Sequence, residues 1–253
     1  MQDQSRPLRE HLRELRKRLL IVVIFALIGA AVCVIYFRPL IDFLVLPASG
    51  YLSGTGGPVF TEVTEMVGVT VKVALLGGMV LAAPVMVYQV MMFVAPGLTN
   101  RERRYVIALI PGALISFVLG ITFAYYLILP PMLKFLLTFG QDIAIPMIRI
   151  GAYINLVVTM LFWMGLVFET PLVMYLLALL GIVNARVLGR FRRYWVIIAF
   201  ILAAIITPTF DPFNQALVAV PLLVLYELGV LLARLAGRKR TKSEAIVPFS
   251  EPD

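Results

Sequence analysis

Arg16-Lys17-Arg18 is followed by LLIVVIFALIGAAVCVIYF, residues 19–37, and then by Arg38-Pro39. No side chain between Leu19 and Phe37 carries a charge. A helix needs about 20 consecutive apolar residues to cross the hydrocarbon core of a bilayer, so this stretch reads as a membrane span. Six basic residues precede it, as in a secretory signal, but the apolar run exceeds the ~7–15 residues of a signal core. Further runs follow at about 66–95, 105–129, 153–180, 194–206 and 213–233, so the first is expected to be retained. Composition agrees: of 253 residues, 61% are apolar and 14% charged, against about 25% charged in soluble domains. The expectation is an all-α integral membrane protein, one six-span domain over residues 1–253, with a flexible cytoplasmic tail from about residue 236.

The formal charge of +8 would point to nucleic acid if it covered a folded surface. Its placement excludes that. Of 22 Lys and Arg, six precede the first span, three lie in 96–104, four in 184–193 and five from Arg234 onward. With six alternating spans these segments share one side, which the positive-inside rule makes cytoplasmic, both termini included. Some attraction to anionic lipid follows. Arg38, Lys134 and Arg149 fall on the opposite side, and Lys72 lies inside span 2.

The outer segment from Arg38 to Glu65 is rich in breakers, Pro39, Pro47, Gly50, Gly54 and Gly56-Gly57-Pro58, which suit turns and irregular backbone. A second outer segment, 132–151, carries an apolar pattern suited to a short interfacial helix. Spans 5 and 6 are short: Tyr194 to Ile206 reaches only about 20 Å against a core of roughly 30 Å. Such a hairpin thins the bilayer or draws its polar ends into it.

Catalysis finds no support. His11, the lone histidine, lies in a charged helix outside the membrane, Cys33 is the lone cysteine, and Ser116 has no neighbouring base. No metal-ligand or nucleophile motif is present in the sequence, so no enzyme, cofactor or metal is expected. Glu169, within span 4, is a functional candidate because burying an ionisable group in a membrane is costly; a hydrogen-bonded structural carboxylate is the competing reading. Glu227 lies where Arg234, two turns on, or lipid head groups could accommodate it. Glu14 in RELRKR and Glu102 in RERR each sit among arginines. Local pairing, as between Glu14 and Arg18 four residues apart, explains either. If both face one site, they form a docking place for a cation that binds two acids.

The segments PLREHLRELRKRLL, APVMVYQVMMFVAPGLTNRERRY, FAYYLILPPMLKFL, GLVFETPLVMYLL, RRYWVIIAFILAAIITP and DPFNQALVAVPLLVLYELG, in order from Pro7 to about Leu235, resemble the successive signatures of the TatC family, the multi-spanning core subunit of the twin-arginine protein translocase. Phe210 stands where that family often has proline. The resemblance implies a cupped helical bundle in the cell inner membrane that receives signal peptides with consecutive arginines and exports folded proteins on the proton gradient. It implies Glu14 and Glu102 as receptor residues with Arg16 and Arg104 around them, Glu169 in the concave face, and Pro47 and Asp211 as positions that shape the transport-competent assembly. It also implies single-span Tat subunits (TatA/TatB type) packed on spans 5 and 6, and self-association in a receptor complex. Arginine, unlike lysine, makes bidentate contacts with carboxylates, a physical basis for the selectivity. Exposed pairs yield only ~0–1 kcal/mol each, so the signal's apolar segment must contribute along spans 2 and 5. A small-solute or ion transporter titrating at Glu169 is the alternative; it would favour inverted repeats, and the sequence holds no convincing one.

Overall fold

A computed structural model describes residues 8–52, 57–94, 100–143, 147–207 and 211–244. Within them the chain is helical: α1 Leu8–Ile35, α2 Phe37–Val45, a 3-10 turn Leu46–Ala48, α3 Ser49–Leu52, α4 Glu65–Val94, α5 Asn100–Phe123, a π-helical turn Ala124–Ile128, α6 Leu129–Thr138, α7 Ile150–Phe168, α8 Thr170–Leu179, α9 Ala185–Ile206 and α10 Pro212–Glu244. Among the described residues, five stretches are long and apolar enough to cross a membrane: Arg13–Ile35, Glu65–Val90, Ile107–Thr138, Ile150–Leu179 and Pro212–Ala236. The sequence counts six. The difference lies in α9, whose first half holds Arg186, Arg190, Arg192 and Arg193 and leaves an apolar remainder of only Tyr194 to Ile206. α10 stays helical to Glu244, beyond residue 236 where the sequence places a flexible tail.

Helices in lipid gain nothing from hiding apolar surface from other apolar surface, so close approach through small residues holds them together. α1 and α4 make the most extensive contact of this kind. A Cβ on Gly78 would fall 2.5 Å from both the Ala26 carbonyl oxygen and the Ala30 nitrogen, and one on Gly29 would fall 2.9 Å from the Gly78 oxygen. Cys33 is buried beside Gly77 in the same seam. α5 and α7 exchange glycines for aromatics: Gly120 lies against Met164 and Phe168, and Gly165 against Phe117. The main core runs through α2, α4, α7 and the π turn with α6, where Ile128, Leu129, Met132, Ile154, Met160 and Met164 are all fully buried. α9 and α10 pack as a hairpin in which Trp195 stacks on Tyr226 at 4.7 Å. Tyr226 donates to the Leu188 carbonyl (2.7 Å) and Trp195 to that of Leu222 (3.3 Å).

Gly54 and Gly56 lie outside the described residues, but up to Leu52 the breaker-rich segment after α1 is more regular than its composition implies. Pro39 sits in the first turn of α2 and Pro47 near the start of the 3-10 turn, where a helix lacks partners for its N–H groups anyway and proline loses nothing. The last carbonyls of α2 need partners from outside the helix, and two buried tyrosines supply them. Tyr125 donates to Phe43 O at 2.7 Å and Tyr153 to Leu44 O at 2.8 Å; Tyr125 also stacks on the Phe43 ring at 4.5 Å. Tyr153→Phe orphans the buried Leu44 carbonyl and is expected to cost about 1–2 kcal/mol. Thermal unfolding of the purified protein in detergent checks this, with the exposed Tyr126→Phe expected to be neutral. Of the second outer segment, residues 132–138 belong to α6, which continues the Ile107–Thr138 stretch and buries Met132 and Leu133 in the core; residues 144–146 lie outside the described residues.

Candidate functional site

At the arginine-rich end, α1 places Glu14 one helical turn before Arg18. Arg18 donates to Glu14 Oε1 from Nε (3.2 Å) and Nη2 (2.5 Å), while its Nη1 reaches Gln89 Oε1 near the end of α4 at 3.3 Å. The pair is half-buried, with side-chain exposures of 18% for Arg18 and 24% for Glu14. Glu14 is therefore an oriented carboxylate attached to the α1–α4 seam. Arg16, two residues on, projects from another face of α1 and is exposed, whereas Arg18 is bonded to Glu14 and helps to orient it. Glu102 lies in the first turn of α5, a helix that packs on α4; its side chain lies outside the described residues, and Arg104 is exposed. α1 and α5 thus both present an acid at this end, each on a helix in contact with α4.

Glu169 stands at the junction of α7 and α8. Pro171 follows, and its missing N–H breaks the ladder of backbone hydrogen bonds. Ser116 of α5 donates to the Phe168 carbonyl at 2.7 Å, directly at the break. Glu169 Oε1 is buried and has no hydrogen-bond partner among the described residues. A buried carboxylate oxygen left unpaired within an apolar helix is costly.

Asp211 is the N-cap of α10: its Oδ1 accepts from Asn214 N at 2.7 Å and its Oδ2 from Asn214 Nδ2 at 2.8 Å, with Pro212 at the first helical position. Phe210 lies outside the described residues. Pro47 lies in the turn that follows the tyrosine-held end of α2. Glu227 pairs with Arg192 of α9 at 2.7 Å, and not with Arg234, because the α9–α10 hairpin brings the Arg-rich start of α9 beside it.

The sequence reading missed a cluster at the opposite end. Glu65, the first residue of α4, accepts from Thr61 N (2.9 Å), from Gly151 N in the first turn of α7 (2.9 Å) and from Arg149 (3.4 Å). One carboxylate thereby ties the segment that leads into α4 to an unpaired N–H group at the start of α7. Gly151 is required for the approach, since a Cβ there would fall 2.8 Å from Glu65 Oε1. Arg149 also donates to Glu62 at 3.0 Å, and the Glu65 hydrogen bond and charge push its guanidinium above its usual range. Val59 N to Ile148 O (2.8 Å) and Ile150 N to Val59 O (2.9 Å) tie the same two segments. In the sequence, Glu65 marks only the end of the outer segment, two turns before Lys72. Glu65→Ala is expected to lower thermal stability clearly more than Glu62→Ala, whose carboxylate is 64% exposed; unfolding of the two variants side by side checks the order.

Long apolar helices, with carboxylates held at their ends and one at a break within, define a multi-pass membrane protein. Comparison with known proteins narrows the class. A family profile described as Sec-independent protein translocase protein (TatC) matches residues 10–221. The TatC protein of Carboxydothermus hydrogenoformans is 39% identical over 96% of this chain and 99% of its own length. That of Aquifex aeolicus is 38% identical over 92% and 97%, and that of Deinococcus radiodurans 41% identical over 91% and 87%. A crystal structure described as the twin arginine translocase receptor TatC superposes with a TM-score of 0.81 at 37% identity, covering 89% of this chain and 99% of that one. The chain belongs to the TatC family.

Proposed function

We propose that this protein is the signal-peptide receptor and core subunit of a twin-arginine translocation system, exporting folded proteins across the cell inner membrane on the proton gradient. The observation that carries this reading is the likeness, over 89% of the chain, to a solved twin arginine translocase receptor. Its counterpart in the geometry is the Glu14 carboxylate, fixed by Arg18 at the arginine-rich end. Under the positive-inside rule that end is cytoplasmic, with both termini. α9 is then the sixth crossing, its arginines in the headgroup layer and its apolar part short of the full core.

In this reading, Glu14 and Glu102 receive the consecutive arginines of the signal, and Arg16 and Arg104 set the field around them. A guanidinium matches a carboxylate with two parallel hydrogen bonds, whereas an ammonium offers a point charge. The signal's apolar segment lies along α4 and α9, where Leu81, Val90, Ile197 and Ile201 are exposed. Single-span Tat subunits pack on α9 and α10, whose outer faces show Ile205, Val220 and Val224, and further copies of this chain complete the receptor complex. Pro47 and Asp211 hold the outer turns in the shape this assembly needs. The protein carries no catalytic step of its own.

The reading is tested in cells lacking their own TatC. Supplied with its single-span partners, this chain should restore export of a folded reporter behind an Arg-Arg signal, and collapse of the proton gradient should stop it. Failure of export alongside uptake of a small solute by proteoliposomes of this chain alone would favour a transporter titrating at Glu169 instead. Glu169→Ala removes the buried carboxylate without touching the arginine-rich end; the expected result is normal signal docking with export reduced about tenfold or more, the ratio that corresponds to 1.4 kcal/mol. Wild-type export in that variant would make Glu169 a structural residue.

A further inference from the structure

Between the starts of α4 and α7 lies a cleft of about 460 Å³ lined by Glu65, Val69, Lys72, Arg149, Gly151 and Asn155, among others. Glu65 is fully engaged by Thr61, Gly151 and Arg149, and Arg149 is shared between Glu65 and Glu62. Lys72 is different. Its Nζ donates to Asn155 Oδ1 at 2.9 Å, and no carboxylate among the described residues lies within ion-pair distance of it. It is seven residues inside α4, about 10 Å along the axis from Glu65. A lone ammonium at that depth is costly unless it reaches back toward the headgroup layer and meets an anion. It has three hydrogens and uses one on Asn155, whose amide N–H groups are further donors.

The charges in and around the cleft sum to zero, with Lys72 and Arg149 against Glu62 and Glu65. They are arranged in order along the chain, Lys72 seven residues inside α4 and the exposed Glu62, paired with the cleft-lining Arg149, three residues before α4 begins. Inward from Lys72 the same face of α4 shows Leu75 and Met79, both exposed and apolar. A zwitterionic phospholipid has this arrangement: its ammonium is outermost, its phosphate one layer in, and its chains below. We infer that the cleft binds the phosphoethanolamine headgroup of a membrane lipid, the phosphate accepting from Lys72 Nζ and Asn155 Nδ2 and the ammonium facing Glu62, with the acyl chains over Leu75 and Met79. Under the topology proposed above, that lipid belongs to the outer leaflet. A free phosphate shares only the Lys72 and Asn155 contacts, and an anionic lipid lacks the group that Glu62 recognises.

The test is native mass spectrometry of the purified full-length protein, loaded from mixed vesicles of phosphatidylethanolamine and phosphatidylglycerol. Wild-type protein should retain phosphatidylethanolamine preferentially. Lys72→Gln should lower its retention about tenfold, the loss of one charge-assisted contact, whereas Arg38→Gln, outside the cleft, should not. Glu62→Gln should keep lipid but lose the preference, and Lys72→Arg should keep both, which separates a lost contact from a lost fold. Equal retention by Lys72→Gln and wild type would overturn the site. So would displacement of the lipid by millimolar inorganic phosphate, or retention of an acidic single-span peptide in place of lipid. The readout is bound lipid and not export, so its failure leaves the translocase reading standing, and the reverse.

Discussion

Replacing Glu14 and Glu102 together by alanine is expected to abolish photocrosslinking of an Arg-Arg signal peptide while the protein still inserts and folds. Glu14 is half-buried and oriented by Arg18, so a guanidinium docking there makes a charge-assisted contact in a partly desolvated place. Contacts of that kind contribute about 1.5–3 kcal/mol, above the range of freely exposed pairs. Losing two of them lowers affinity by about a hundredfold or more. Glu14 is only half-buried and bonds to Arg18 within its own helix, so the folding cost is expected to be small. Glu10→Ala, on the same helix, is the matched control and should bind normally. Arg18→Ala tests the positioning role: Glu14 keeps its charge but loses its tether to Gln89, and binding should weaken without disappearing.

The second large effect is expected at a position with no ionisable group. Gly78→Leu should destroy signal binding and lower stability together, because the new Cβ would stand 2.5 Å from backbone atoms of Ala26 and Ala30. Backbone cannot rotate aside as a side chain does. α1 must therefore move away from α4, at the upper end of the about 1–3 kcal/mol typical of overpacking, or beyond it. That displacement carries Glu14 and Arg18 away from Gln89, so the receptor end is lost along with the seam. Gly68→Leu, on the same helix, meets nothing within 4 Å and should be close to neutral. Detergent-solubilised thermal unfolding, read beside crosslinking, distinguishes the two glycines.

Local chemistry was legible from the chain. The run from Leu19 to Phe37 announces itself through the absence of charge, the Glu14–Arg18 pair through its spacing of four, and the shortness of the apolar part of α9 through its arginines. Pairings set by the tertiary fold were not. Glu65 gives no sign in sequence that Gly151, 86 positions on, will meet it, and Glu227 chooses Arg192 over the nearer Arg234 because antiparallel packing outweighs proximity along the chain. The Pro-rich stretch after α1 looked irregular because prolines inside helices are disruptive; Pro39 and Pro47 fall in first turns, where they are not. Asp211 is in the same category, its cap on α10 visible only once Asn214 is seen to be the third residue of a helix. Glu169 was legible as an anomaly, but its unpaired oxygen beside a helix break belongs to the packing of α5 on α7.

The claim that most needs testing is that two carboxylates, on α1 and α5, read arginine as arginine. Photoreactive groups placed at positions 13 and 101, beside each acid, should crosslink a signal peptide bearing Arg-Arg and should largely lose it when the pair is Lys-Lys, with net charge unchanged. Equal crosslinking of the two peptides from both positions would contradict the account, because a point charge would then serve as well as a guanidinium.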